Sequence, residues 1–161
     1  MTEYPLNTGA ETEYAHRWAF SFNPGYYNFE NLGGDCTNFV SQCLFAGGSL
    51  MNPTRDTGWY YNSLDDRAAA WTGVDAFYRF IVNNQGLGPF GKIVQLDNAD
   101  IGDVIQLGTN KRYYHSLLVV DIRKRTPYVA AHSAPAFNRP LTSYSYENIR
   151  CIKIIGARKN R

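Results

Sequence analysis

Apolar side chains recur at helical spacing three times in the first half of the chain, and the pattern then changes to the short runs of strands. Ala10, Tyr14 and Trp18, with Ala15 and Ala19 beside them, mark one face of a helix that starts near Thr8 and ends before the turn sequence Asn23-Pro24-Gly25. Cys36, Phe39, Val40, Cys43 and Leu44 fall at i, i+3, i+4, i+7 and i+8, and Gly47-Gly48 supplies a stop, so a second helix is predicted over about 36–46. Val74, Phe77, Tyr78 and Ile81 define a third over about 72–83, ended by Asn84-Gln85-Gly86. Residues 49–71 read as loop-rich. Beyond Gly91, β-type runs follow at KIVQL, DVIQL, HSLLVVDI, YVAAHS and IRCIKIIGA, separated by the turn-prone GTNKRYY, RKRTP and APAFNRP. Helices first and an antiparallel sheet second predict an α+β domain.

Composition narrows this picture without changing it. A chain of 161 residues is long enough for one buried core and is read as one domain over 1–161. Its 44% hydrophobic and 19% charged content is ordinary for a soluble globular protein, and no apolar run approaches the ~18 residues of a membrane span, so membrane insertion is not expected. The opening MTEYPLNTGAETEY lacks a basic stretch followed by an apolar one, so no secretory signal is visible. Net charge is +2, and the clusters at Lys111-Arg112, Arg123-Lys124-Arg125 and Arg158-Lys159 read as solvated turns and tail rather than a nucleic-acid surface. Three cysteines cannot all pair. Cys36 and Cys43, seven residues apart on one helix, are separated by roughly 10 Å, beyond the ~7 Å limit for a bridge.

Cys36 is the residue that points to chemistry. It stands in GGDCTNFVSQCLFAGG at the predicted start of the second helix, behind Asp35, which reads as the N-cap. Unpaired N–H groups and the positive dipole end there are expected to lower a thiol pKa from ~8.5 and favour thiolate. Cys43 and Cys151 read as core residues. A cysteine nucleophile needs a base in reach and a third group to orient that base. Of three histidines, His16 reads as exposed or structural, His115 opens one strand and His132 closes the next. If those strands form a hairpin, its pairing order brings His115 and His132 to one edge. Asn138 is another partner for His115; Asp121, six residues along the same strand and about 20 Å away, is too far. A zinc site from Cys36, His115 and His132 is the competing chemistry, disfavoured by the lack of HExxH or CxxC, and no metal or cofactor is expected. Trp59, Tyr60, Tyr61 and Trp71 cluster in the loop-rich stretch, where they suit either a sugar–peptide ligand or the core.

GGDCTNFVSQCLFAGG, GWYYNS, AWTG, IGDVIQLG, YHSLLVV and YVAAHS together resemble the putative amidase domain family, a branch of the papain-like cysteine hydrolases related to CHAP and NlpC-type cell-wall enzymes. The resemblance runs from about Tyr14 to Gly156. It implies a papain-like fold, N-terminal helices packed on a C-terminal antiparallel sheet, with Cys36 as nucleophile, His115 as general base and His132 as orienting residue. It also implies an oxyanion site at the Cys36 N–H, with a hydroxyl from Tyr26 or Tyr27, and Asp35, Trp59, Tyr60 and Trp71 join these as substrate-side candidates. The expected activity is cleavage of a peptidoglycan amide, at the muramoyl–alanine bond or within the stem peptide, by a monomeric lysin module that reaches the wall by lysis or another non-Sec route. The alternatives are a catalytically silent wall-binding module and a transglutaminase-like acyltransferase.

Overall fold

The computed structural model describes all 161 residues. Its centre is an antiparallel sheet ordered β4 (Gly88–Val94), β9 (Asn148–Lys159), β5 (Val104–Gly108), β6 (Tyr113–Arg123), β7 (Thr126–Ala131) and β8 (Ala136–Pro140); the short β1 (Thr2–Tyr4) pairs with the far end of β9. The fold is α+β. Two helices cross one face: α1 (Thr8–Trp18), capped by the Asn7 side chain on the Ala10 N–H, and α2 (Cys36–Ala46).

Three parts of the sequence fold differently from their pattern. The loop-rich stretch ends in a short helix, α3 (Ala69–Thr72), which the extended Gly73 (φ −107°, ψ 135°) separates from the third predicted helix, α4 (Val74–Asn83). The 49–71 stretch contains a small hairpin, β2 (Tyr61–Ser63) with β3 (Asp66–Arg67). APAFNRP, read as a turn, carries β8. Pro140 and the positive φ of Asn138 disguise it, and both are tolerated because β8 pairs only with β7 at the edge of the sheet.

The two faces of β6 build two cores. Leu118 and Val120 join Phe39, Val40, Cys43, Leu44, Trp59, Trp71, Phe77 and Ile81 under the helices, whereas Leu117 and Val119 join Ile105, Leu107, Val129, Leu141 and Cys151 on the opposite face. α2 is buried from Cys36 through Leu44, polar residues included. Each of those polar side chains ties a different segment: Thr37 Oγ1 to Ser116 Oγ at 2.9 Å, Asn38 to Trp71 Nε1 at 3.0 Å, Ser41 to Trp59 Nε1 at 3.0 Å, and Gln42 to the Tyr14 hydroxyl. α2 is thus the hub of the molecule, and its first residue is Cys36.

Candidate active site

The Gly33-Gly34 turn, both residues at positive φ, brings the chain into α2. Asp35 occupies the N-cap position, but its side chain does not cap the helix. Its carboxylate turns away instead: Oδ1 accepts from the Phe29 N–H at 2.8 Å and Asn38 Nδ2 at 3.0 Å, and Oδ2 lies 2.6 Å from His132 Nδ1. The other ring nitrogen of His132, Nε2, is 2.7 Å from the Trp18 carbonyl oxygen. A carbonyl only accepts, so Nε2 carries a hydrogen. With Asp35 on Nδ1, the ring is held by an oxygen at each of its nitrogens. Phe39 stacks on the ring at 4.1 Å between centroids, and the Asp35 N–H donates to Ser133 Oγ, which Glu30 holds in turn.

Cys36 lies beside β6 beyond the end of β7, where that edge of β6 is unpaired. Its Sγ is 3.9 Å from the Tyr114 carbonyl oxygen and 3.8 Å from Thr37 Oγ1. Burial pushes the Cys36 thiol above its ordinary pKa, and the charge of Asp35 adds to this; hydrogen bonds from the Ser116 and Thr37 backbone and the Thr37 hydroxyl oppose it without reversing it. The helix start therefore does not leave a resting thiolate, because only 6% of the residue is exposed and desolvation outweighs the local donors.

The sulfur thus contacts the β6 backbone on both sides of His115. The imidazole itself makes no hydrogen bond to Cys36 or to His132. Ser116, the next residue, points toward α2, so His115 projects to the opposite face of the strand, where its ring centroid is 6.3 Å from that of Tyr144. Burial, and secondarily the charge of Arg139, lower its pKa to about 4, so the ring is neutral at physiological pH. The hairpin of β6 and β7 forms as its pairing order predicts. Its register, Leu118 opposite Ala130, sets His132 level with Ser116 rather than with His115, which is why the two histidines do not meet.

Other predicted residues fall at graded distances from this centre. Tyr26 is half-buried against Tyr61 and Trp71, and Tyr27 is exposed, with its N–H on the Tyr61 hydroxyl and its carbonyl on Asn38. Trp59 and Trp71 have no exposed surface and complete the core, so they offer nothing to a ligand, while Tyr60 is buried with its hydroxyl on the Asp56 N–H. Asp121 pairs with Arg123 at the far end of β6. Cys36, His115 and His132 do not converge as a metal-ligand set; the group that converges is Glu30, Asp35 and His132, in which Asp35 and His132 bond to each other and Glu30 accepts from Ser133. Sequence reasoning missed Thr37, Asn38, Ser116, Arg139 and Tyr144. For the first two a signal existed: polar residues interleaved all round an otherwise apolar helix must find buried partners.

With this geometry in view, comparison with known proteins places the chain. A family profile described as "Putative amidase domain" matches residues 6–155. The chain belongs to that family. Among curated proteins, it is 29% identical to "Uncharacterized protein YhbB" of Bacillus subtilis (strain 168) over 84% of this chain and 43% of that protein. It is 28% identical to "Uncharacterized protein YjcM" of the same organism over 81% of this chain and 32% of that one. The chain therefore spans less than half the length of these relatives. No solved structure matches it. An amidase-family chain in which DCTNF and YHS meet gives those two motifs a shared place.

Proposed function

We propose that the protein is a cysteine amidohydrolase of papain-like design that acts on bacterial peptidoglycan, with Cys36 as nucleophile and His115 as base. The observation that carries the reading is the seat of the Cys36 sulfur against the backbone on both sides of His115, at the start of a buried helix, in a chain of an amidase family. Resting thiol and imidazole are both neutral, so the proton passes as the bond forms rather than before it. From its own face the His115 ring swings round the unpaired edge of β6, beside which the sulfur sits, and accepts the proton. The sulfur attacks the amide carbon, the imidazolium protonates the leaving amine, and water hydrolyses the thioester. The Cys36 N–H, which no protein acceptor engages, faces the developing oxyanion. His132 enters this scheme through Asp35: it fixes the residue that precedes the nucleophile.

Purified Gram-positive walls digested by the wild type and by Cys36→Ala, with mass analysis of the released fragments, test the reading. The wild type is expected to release new amino-terminal groups or peptide-free glycan, and Cys36→Ala to lose at least ~1,000-fold in rate. Equal release by both proteins excludes Cys36 as the nucleophile.

A further inference from the structure

Beside His115 stands a cation that the scheme above does not use. Arg139, on β8, is half-buried and held in place: Nε donates to Ser143 Oγ at 2.7 Å, Nη2 to the Ser143 carbonyl at 3.1 Å, and the guanidinium carbon lies 3.8 Å from the centroid of the Tyr144 ring. Ser143 is fixed in turn, since its hydroxyl donates to the Pro140 carbonyl at 2.7 Å. Unlike Arg123, Arg150 and Arg158, and like the remaining arginines of the chain, Arg139 meets no carboxylate.

The way it is anchored decides what it can do. Ser143 takes the Nε–H and one Nη2–H, which leaves both Nη1 hydrogens and the second Nη2 hydrogen without acceptors. That pair of nitrogens forms the edge of a guanidinium that receives a carboxylate through two parallel hydrogen bonds. A second observation points the same way. The Tyr144 hydroxyl is buried with no well-aligned hydrogen bond, its ring lies under the Arg139 guanidinium, and the ring centroid is 6.3 Å from that of His115. A fixed cation and an unused hydroxyl beside a neutral base suit an anionic group on the substrate.

Resting on the reading of Cys36 and His115 as the reacting pair, we propose that Arg139, with Tyr144, is the specificity site for a free carboxylate carried by the substrate next to the amide that is cut. The enzyme then prefers peptides whose acidic residue is unmodified over the same peptides with that carboxyl amidated. The effect of Arg139 on His115 fits this role, since burial chiefly keeps the imidazole neutral and an anion bound at Arg139 offsets the smaller part due to that charge.

The test uses the full chain carrying Cys36→Ala, titrated calorimetrically with N-acetyl-L-alanyl-D-glutamate and with the same dipeptide amidated at both carboxyls. The acid is expected to bind roughly tenfold or more tightly than the amide. Adding Arg139→Gln should remove that preference by weakening the acid alone, and Arg139→Lys should restore part of it. Equal affinity for acid and amide, no measurable binding of the acid, or the same loss for both ligands in Arg139→Gln would each overturn the proposal. Thermal melts of the two Arg139 variants identify any general loss of structure, and Arg139→Lys, which keeps the charge, separates such a loss from loss of recognition. Because the titration needs no turnover, a wild type that releases nothing from cell walls would remove the cysteine mechanism, while the role of Arg139 would still stand or fall on the binding ratio.

Discussion

The two ends of α2 each hold a buried acid, and they are held in opposite ways. At the N-terminal end Asp35, 1% exposed, receives hydrogen bonds from the Phe29 backbone, Asn38 and His132. At the C-terminal end Glu11, on α1 and also 1% exposed, lies beneath Gly47, and neither of its carboxyl oxygens has a partner. Burial, and then the charge of Asp103, push the Glu11 pKa up to about 8. Equal burial thus comes with hydrogen-bond partners in one place and without them in the other, where the carboxyl is pushed toward its neutral form. What separates them is donors: three converge on Asp35, while Lys153, the cation near Glu11, is taken by Asp100 and Asp103.

The largest break in this contrast comes from Asp35→Ala. It leaves His132, Asn38 and the Phe29 N–H without their acceptor in a dry interior, and chemical denaturation should show a loss of about 3–5 kcal/mol. Glu11 comes next and shows itself through pH. Its pKa in the folded protein lies above its unfolded value of 4.5, so folding favours the protonated form. The stability due to this is complete below pH ~4.5 and is lost as pH rises toward about 8, amounting to about 3 kcal/mol by pH 7. Glu11→Gln, which cannot ionise, should flatten the stability profile across that window; an unchanged slope would show that the carboxyl finds a partner. The smallest effect is Gly47→Ala. A methyl group there would sit 2.5 Å from Glu11 Cγ, and a cost of about 1–3 kcal/mol is expected, reduced when Glu11 is shortened to Ala in the same chain.

The same contrast shows how far the sequence can be read. Periodicity places the start of α1 and both limits of α2 within a residue or so, runs α1 on past its end at Trp18, and finds α4, β5, β6, β7 and β9, whose apolar residues face the cores. β8 and the β2–β3 hairpin are not legible: each is short and sends a single large apolar side chain, Phe137 or Tyr61, to the main core, too few to make a period. At the site, DCTNF identifies Cys36, and YHS places His115 on the strand that the sulfur touches. The partner of Asp35 is out of reach, since a residue followed by a helix reads as a cap, and only the fold brings His132 to its carboxylate across 97 positions. The protonation state of the thiol is hidden for a related reason. A helix start is visible in one dimension, whereas desolvation depends on everything packed around the sulfur.

The links that hold Cys36 also carry a kinetic consequence. Asp35 to His132 and Ser133, Thr37 to Ser116, and the sulfur to Tyr114 all span between 78 and 98 positions of chain. A nascent polypeptide that has emerged only as far as α4 therefore carries the Cys36 thiol without its β6 and β7 contacts, and closure of such long loops slows the search for the native state. On the proposed role of Cys36, competence should arise late and all at once, when the final hairpins settle.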